Sequence, residues 1–187
     1  MTFTIRPLQP EELARFFHYL NDHLLDNGRD GAPLFQPMSR TSTGFPPEKV
    51  NGFSTGLQAT FGQQGWRRLW VALEGDEIIG HIDLRSRPEP AARHRCLLGM
   101  GVHRNARRGG LGTTLVATAA EWAREQGLEW VDLEVLSGNA PARALYRKMG
   151  FVQTGEIADL FRIDGERLGY VFMSLQLPAG ADRMGVY

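Results

Sequence analysis

The sequence predicts an α/β (α+β) domain: a mixed, mostly antiparallel central sheet of about seven strands flanked by about four helices. Three observations carry this. Segments with two-residue apolar alternation and segments with a helical repeat follow one another in the order β-α-α-β-β-β-α-β-α-β-β. Tight turns at Glu74-Gly75-Asp76-Glu77 and Asp164-Gly165 join two pairs of strands as hairpins, which favours antiparallel neighbours. The 187 residues suffice for one full hydrophobic core and not for two comfortable ones. Residues 1–177 are therefore expected to form a single domain, with a poorly ordered tail over 178–187.

Each element has its own signal. Thr2 to Arg6 alternates and is ended by Pro7. Leu13, Phe16, Phe17, Leu20 and Leu24 recur at helical spacing, which predicts a helix from Glu11 to Leu25. Asp26 to Pro47 is rich in Gly, Pro, Ser, Thr and Asn without periodicity, and a loop this long in a compact domain is usually a lid or a mobile segment. Pro47 to Gly62 reads as a helix with Val50, Phe53, Leu57 and Phe61 on one side and Pro and Glu in its first turn. Leu69 to Leu73 and Ile78 to Leu84 are strands, followed by a loop from Arg85 to Arg95. Cys96 to Val102 is the next strand, and its two glycines suit a bulge or a close approach by a ligand.

Gly110 to Gln126 is the clearest helix, with Leu111, Leu115, Val116, Ala119, Trp122 and Ala123 on one face and Gly127 as its stop. In the strand Glu129 to Leu136, Val131, Leu133 and Val135 alternate with Asp132 and Glu134. Asn139 caps a helix with Pro141 in its first turn, ending at Gly150. Phe151 to Glu156, Asp159 to Ile163 and Arg167 to Leu177 are the last strands, and the final one is expected to be exposed for pairing in a homodimer.

Composition narrows the function. Lys plus Arg and Asp plus Glu both number 21, so the balanced charge gives no long-range pull toward nucleic acid or an anionic membrane. Positive charge is nonetheless clumped from Arg85 to Arg108, which points to a small anionic ligand. Cys96 is the only cysteine, so an intrachain disulfide and a CxxC metal site are excluded, and no metal is expected. Cys96 itself reads as a small core hydrophobe. No apolar run approaches the roughly 20 residues that span a bilayer. Met1 to Pro10 has no secretory or organellar pattern, so a cytoplasmic location is the expectation.

The chemical landmark is the junction Val102-His-Arg-Asn-Ala-Arg107-Arg-Gly-Gly-Leu-Gly112. A strand leading through a Gly-rich turn into a helix presents backbone N–H groups without intrahelical partners, and the helix dipole adds positive charge there. Glycines admit the ligand, and Arg107 and Arg108 add full charges, so the stretch reads as a pyrophosphate cradle. It lacks the Gly-Lys-Ser/Thr of a Walker loop. A dinucleotide fingerprint fits partly, since Asp132 lies 20 residues past Gly112 while Leu115 fills the third glycine position. A small NAD(P)-binding protein therefore stays open as an alternative.

These residues carry a resemblance. Arg107-Arg-Gly-Gly110-Leu-Gly112 resembles the R/Q-x-x-G-x-G/A signature of the GNAT (GCN5-related) N-acetyltransferase superfamily. Asn139 to Phe151 resembles that family's second motif, N-x-x-A-x-x-L-Y-x-x-x-G-F, one helix and one strand downstream as in the family. The likeness covers about Leu69 to Leu177, and Arg108 departs from it where many members carry Gly.

The resemblance implies an acyl-CoA N-acyltransferase fold. It also implies acetyl-CoA as co-substrate and an N-acetyltransferase working by direct attack in a ternary complex. The acceptor is then a small-molecule amine or a peptide N-terminus. It places pantetheine along Met100, Gly101 and Val102. The pyrophosphate falls to Arg107, Arg108, Gly109, Gly110, Leu111, Gly112 and Thr113. Tyr146 becomes the acid for the leaving thiolate, against a reading as a core tyrosine. Asn139 either contacts the cofactor or only caps its helix. Glu134, 12 residues before Tyr146, becomes the base, as in the family's ribosomal-protein acetyltransferases, against a reading as an exposed strand glutamate. His81 and Asp83 are lesser base candidates, and His103 either helps bind phosphate or has no role. A non-catalytic acyl-CoA binding or sensing module is the other alternative. The loops Asp26 to Pro47 and Arg85 to Arg95 are expected to shape the acceptor pocket.

Overall fold

A computed structural model describes residues 2–178; the tail expected over 178–187 lies, from 179 onward, outside the described residues. Among the described residues seven strands form one sheet: β1 (Thr4–Pro7), β2 (Arg67–Glu74), β3 (Glu77–Ser86), β4 (Arg95–Val102), β5 (Trp130–Leu136), β6 (Val152–Ile163) and β7 (Glu166–Gln176). Their order is β1-β2-β3-β4-β5-β7-β6. Only β4 and β5 run parallel; every other pair is antiparallel. The helices are α1 (Leu13–Leu24), α2 (Pro47–Gln58), α3 (Leu111–Glu125) and α4 (Ala140–Lys148). Among the described residues no helix is long and apolar enough to cross a membrane.

Strand alternation sends apolar residues to both faces of the sheet, and each face has its own core. Leu111, Leu115, Val116, Ala119 and Ala123 form the buried stripe of α3 and pack with Ile82, Leu84, Leu98, Val131 and Leu133. Tyr146 of α4 and Phe151, just before β6, extend this cluster. On the opposite face Phe16, Tyr19 and Leu20 of α1 and Phe53 of α2 pack with Leu69, Val71 and Leu73. Each such large side chain contributes about 1.5–3 kcal/mol by leaving water, so two covered faces explain why β2 and β3 are buried almost throughout.

Three expectations need correction. The two segments on either side of Ala158 form one strand, β6, because β7 pairs along it across irregularities at Gln153/Gly155 and Ile157/Phe161. The final strand β7 has no free edge: β5 pairs with one side and β6 with the other, so β6 is one border of the sheet and β1 the other. Arg85 belongs to β3 rather than to the following loop. The Asp164-Gly165 turn does adopt positive φ at both residues (51° and 81°), as a tight hairpin between right-twisted strands requires.

Candidate active site

The site begins where the parallel pair fails to stay paired. β4 and β5 are in register only from Arg95–Trp130 to Leu97–Asp132, yet β4 continues to Val102 and β5 to Leu136. Beyond Leu97 the two strands part and leave a gap in the sheet. His103 N donates to the Ile79 carbonyl on the β3 side. By alternation, the main-chain groups of Met100 and Val102 turn toward the gap, while those of Gly101 turn toward β3.

At the end of β4 a short 3₁₀ turn (Arg104–Ala106) leads into the loop before α3. Gly110 is the N-cap at φ 82°, with no side-chain cap on the helix. The Thr114 N–H is bonded to the Gly110 carbonyl, so the N–H groups of Gly110 to Thr113 are the ones that have no intrahelical partner by geometry. Gly112 lies against α4 and the gap: a Cβ there would stand 2.9 Å from Leu145 Cδ2 and 3.5 Å from Met100 Cε. Arg108 has φ 67°, the left-handed region that favours glycine, and its side chain is exposed. Its departure from the Gly of the motif thus carries strain. Arg107 turns back onto its own loop: Nε donates to the Val102 carbonyl at 3.2 Å and Nη2 to Asp26 at 3.0 Å.

Tyr146 is 7% exposed and its ring lies 5.7 Å from that of Phe151, tilted by 57°. Burial, and then the nearby Tyr170, push its hydroxyl well above the usual tyrosine range, so it keeps its proton at neutral pH. Glu134 stands on the opposite face of β5 from Val131, Leu133 and Val135 and is exposed. Asn139 is buried and its Oδ1 accepts from Ala142 N at 3.3 Å, so it caps α4. Glu134 also lines a groove of about 510 Å³ with Leu97, Phe172, Arg87 and Arg95.

The family model described as Acetyltransferase (GNAT) family matches residues 39–151. The chain belongs to this family. It is 30% identical over 119 residues to the L-methionine sulfoximine/L-methionine sulfone acetyltransferase of Pseudomonas aeruginosa, covering 63% of this chain and 69% of that protein. It is 33% identical over 89 residues to human N-acetyltransferase 8, covering 46% of this chain and 39% of the relative, so the chain matches well under half of that protein's length. A GNAT superfamily phosphinothricin acetyltransferase from Sinorhizobium meliloti, solved in complex with AcCoA, superposes with a TM-score of 0.75. That comparison is at 22% identity and covers 100% of this chain and 96% of that one.

In this GNAT chain the arginines that look clumped in sequence are dispersed and mostly neutralised. Arg95 binds Asp132 through two bonds of 2.9 and 2.6 Å, and Arg87 reaches the same carboxylate at 3.1 Å. Ser174 completes that set. Asp132 is thereby committed inside the protein, which removes the ribose-binding role on which the dinucleotide alternative leaned. Arg104 and His103 bind Asp22 at 2.8 and 2.9 Å. Cys96 is fully buried and burial pushes its thiol up to about 12, so no thiolate is available as a nucleophile.

The lesser base candidates are occupied as well. His81 Nδ1 meets the Tyr19 hydroxyl at 3.1 Å, and that hydroxyl donates to the Gly101 carbonyl at 3.2 Å. Burial, then Arg67 and Lys49, lower His81 to about 3. Asp83 is paired with Arg67. Tyr170 on β7 went unread in the sequence: it is half-buried, and burial followed by the charge of Glu134 raises it to about 12. Only its opposition to Leu136 across β5 and β7 brings it to the gap, and no local motif signals that.

Proposed function

We propose that the protein is an acetyl-CoA-dependent N-acetyltransferase that moves the acetyl group to a primary amine, with both substrates bound at once. The observation that carries this reading is the β4–β5 gap opening beside the uncapped N-terminus of α3, where Gly112 approaches Met100 of β4 and Leu145 of α4. The residues fit the co-substrate. Free N–H groups at a helix N-terminus suit a diphosphate, and the main chain of Met100 with the N–H of Val102 offers an extended arm the pairing that β5 gives up, the Val102 carbonyl being held by Arg107.

Bound acetyl-CoA supplies an acyl group activated by its thiol leaving group. The chain's own groups do the rest. The loop before α3 and the side chain of Arg108 hold the anionic end. Glu134, exposed on the acceptor face, takes the proton of the incoming ammonium, directly or through water, because only the neutral amine is a nucleophile. Tyr146 remains protonated through burial and presents its O–H to the departing sulfur. Asn139 holds α4, and so Tyr146, in place. The acceptor face is bounded by the Asp26 to Pro47 loop, which is fastened to the β6–β7 turn by Ser39 and Arg40 on Asp164 at 2.7 and 2.8 Å.

A small-molecule acceptor is favoured by the P. aeruginosa relative, whose name specifies one. The reading also places the protein in the cytoplasm. It further includes self-association along β6, where Val152, Ile157 and Leu160 are exposed at the sheet border.

An amine panel read by release of CoA thiol tests the activity. Amine-dependent thiol release is expected. Acetyl-CoA that raises the melting temperature without any turnover would leave a binding module. A melting shift with NAD and none with acetyl-CoA would reverse the assignment.

A further inference from the structure

Charge on the acceptor face is unbalanced at one place. Asp83 is 2% exposed and its carboxylate is held by Arg67 at 2.8 Å. Arg67 itself packs over the Phe53 ring at 3.8 Å. That pair is closed. Arg85 reaches the same Asp83 oxygen only at 3.5 Å, and its side chain is 34% exposed. From α2, Lys49 adds an ammonium whose hydrogen bond, at 2.9 Å, goes to the neutral side chain of Gln36. One carboxylate thus serves two arginines, and Lys49 has no carboxylate partner among the described residues. Although the Lys49 chain is exposed as a whole, its ammonium is lowered to about 8, by loss of water around it first and by repulsion from Arg85 second.

The cluster stands at the mouth of the gap. Asp83 pairs with Gly99 in register, one residue before Met100. A Cβ on Gly99 would lie 2.7 Å from Asp83 Oδ1 and 3.2 Å from Arg85 Nη1, so β4 needs a glycine there to let these charges cross it. Through the pairs Arg85–Leu97 and Leu97–Asp132, strand alternation puts Arg85 of β3 and Glu134 of β5 on one face, on either side of β4, with Tyr170 of β7 beyond Glu134. A cationic group and an exposed carboxylate therefore face each other across the place where an amine would meet the thioester.

We propose that Arg85, aided by Lys49, binds a carboxylate of the acceptor, so that the amine acetylated belongs to an amino-acid-like molecule rather than to an alkylamine or a polyamine. This rests on the acetyltransferase reading above. Arg85 gives up a weak contact and takes a bidentate one, while Glu134 faces the ammonium. An acceptor with a carboxylate beside its amine satisfies both ends; a polyamine puts positive charge against Arg85 and Lys49.

The test compares L-amino acids of several side chains with their primary amides, and with spermidine, for wild type, Arg85→Gln and Lys49→Gln. CoA thiol release is measured. The acetyl-CoA melting shift of each variant checks that it is folded and loaded. Wild type should prefer the acids. Arg85→Gln should lose about 10–100-fold in kcat/KM on the acids, mainly through KM, and less than about 3-fold on the amides. Lys49→Gln should show the same pattern with a smaller loss. The amide's lower amine basicity cancels because each acceptor is compared across variants. Equal losses on acids and amides across the variants, or a wild type that uses spermidine at least as well as the acids, would overturn the carboxylate assignment alone. No amine-dependent release from any acceptor would overturn the acetyltransferase reading itself.

Discussion

Gly110→Val separates ligand binding from folding more sharply than any other change. The residue caps α3 at φ 82°, and a Cβ built there meets no atom within 4 Å. Its cost to the free protein is therefore conformational: about 1–2 kcal/mol for a side chain held in the left-handed region. For a chain of this size that is a fall of about 2–8 °C in Tm. The cost to CoA binding is larger. Losing two charge-assisted hydrogen bonds from the loop's N–H groups removes about 3–6 kcal/mol, on the order of 10²–10⁴-fold in affinity.

Thermal shift with CoA reads both quantities. Wild type at about 100 times Kd should gain about 2.7 kcal/mol, or about 5–11 °C. The variant at the same concentration should gain less than about 0.4 kcal/mol, or about 1–2 °C. S-acetylpantetheine, which lacks the diphosphate, should bind both proteins alike. A folded Gly110→Val protein with the wild-type CoA shift would refute the phosphate loop and the function built on it.

Other changes test other parts of the site. Tyr146→Phe should lower kcat about 10²-fold or more with KM for acetyl-CoA within about 3-fold; a lower Tm with unchanged kcat would make Tyr146 a packing residue only. Arg108→Gly should raise Tm by about 1–4 °C by releasing left-handed strain, less the entropy of an added glycine. It should also weaken CoA a few-fold at low salt and not at high salt, and a fall in Tm would contradict the strain reading. His23 lies between Tyr19 and Phe35 at ring distances of 6.0 and 4.6 Å with no partner for Nδ1 among the described residues, and burial, then His81 and nearby arginines, lower it to about 3. The unfolded chain then binds the proton first, so this contribution to stability is complete above about pH 6.5 and falls as pH drops toward 3, by about 1.4 kcal/mol per unit. In urea melts between pH 7 and 4.5, His23→Phe should flatten the slope by about that amount; an unchanged slope would show that His23 does not stay neutral in the fold.

What was legible in the sequence is what neighbouring residues settle among themselves. Apolar spacing in Leu111 to Ala123 has one stable solution, a helix with one buried stripe. Asn139 and Pro141 start α4 through bonds within one turn, and Asp164-Gly165 sets a hairpin because only such residues tolerate φ above zero twice in succession. Gly110 and Gly112 beside a helix start already implied a ligand with negative charge. Tertiary structure decided the rest. Asp132, read as a possible ribose contact, is claimed by Arg95 and Arg87, which lie 37 and 45 residues away in the chain. Phe151 to Glu156 and Asp159 to Ile163, read as separate strands, join in β6 because β7 pairs with both. The parting of β4 from β5 and the meeting of Glu134, Tyr170 and Arg85 at that gap are properties of strand order. A charge or a hydroxyl carries no local trace of the partner it will find across a sheet, because that pairing is chosen by which strands lie side by side.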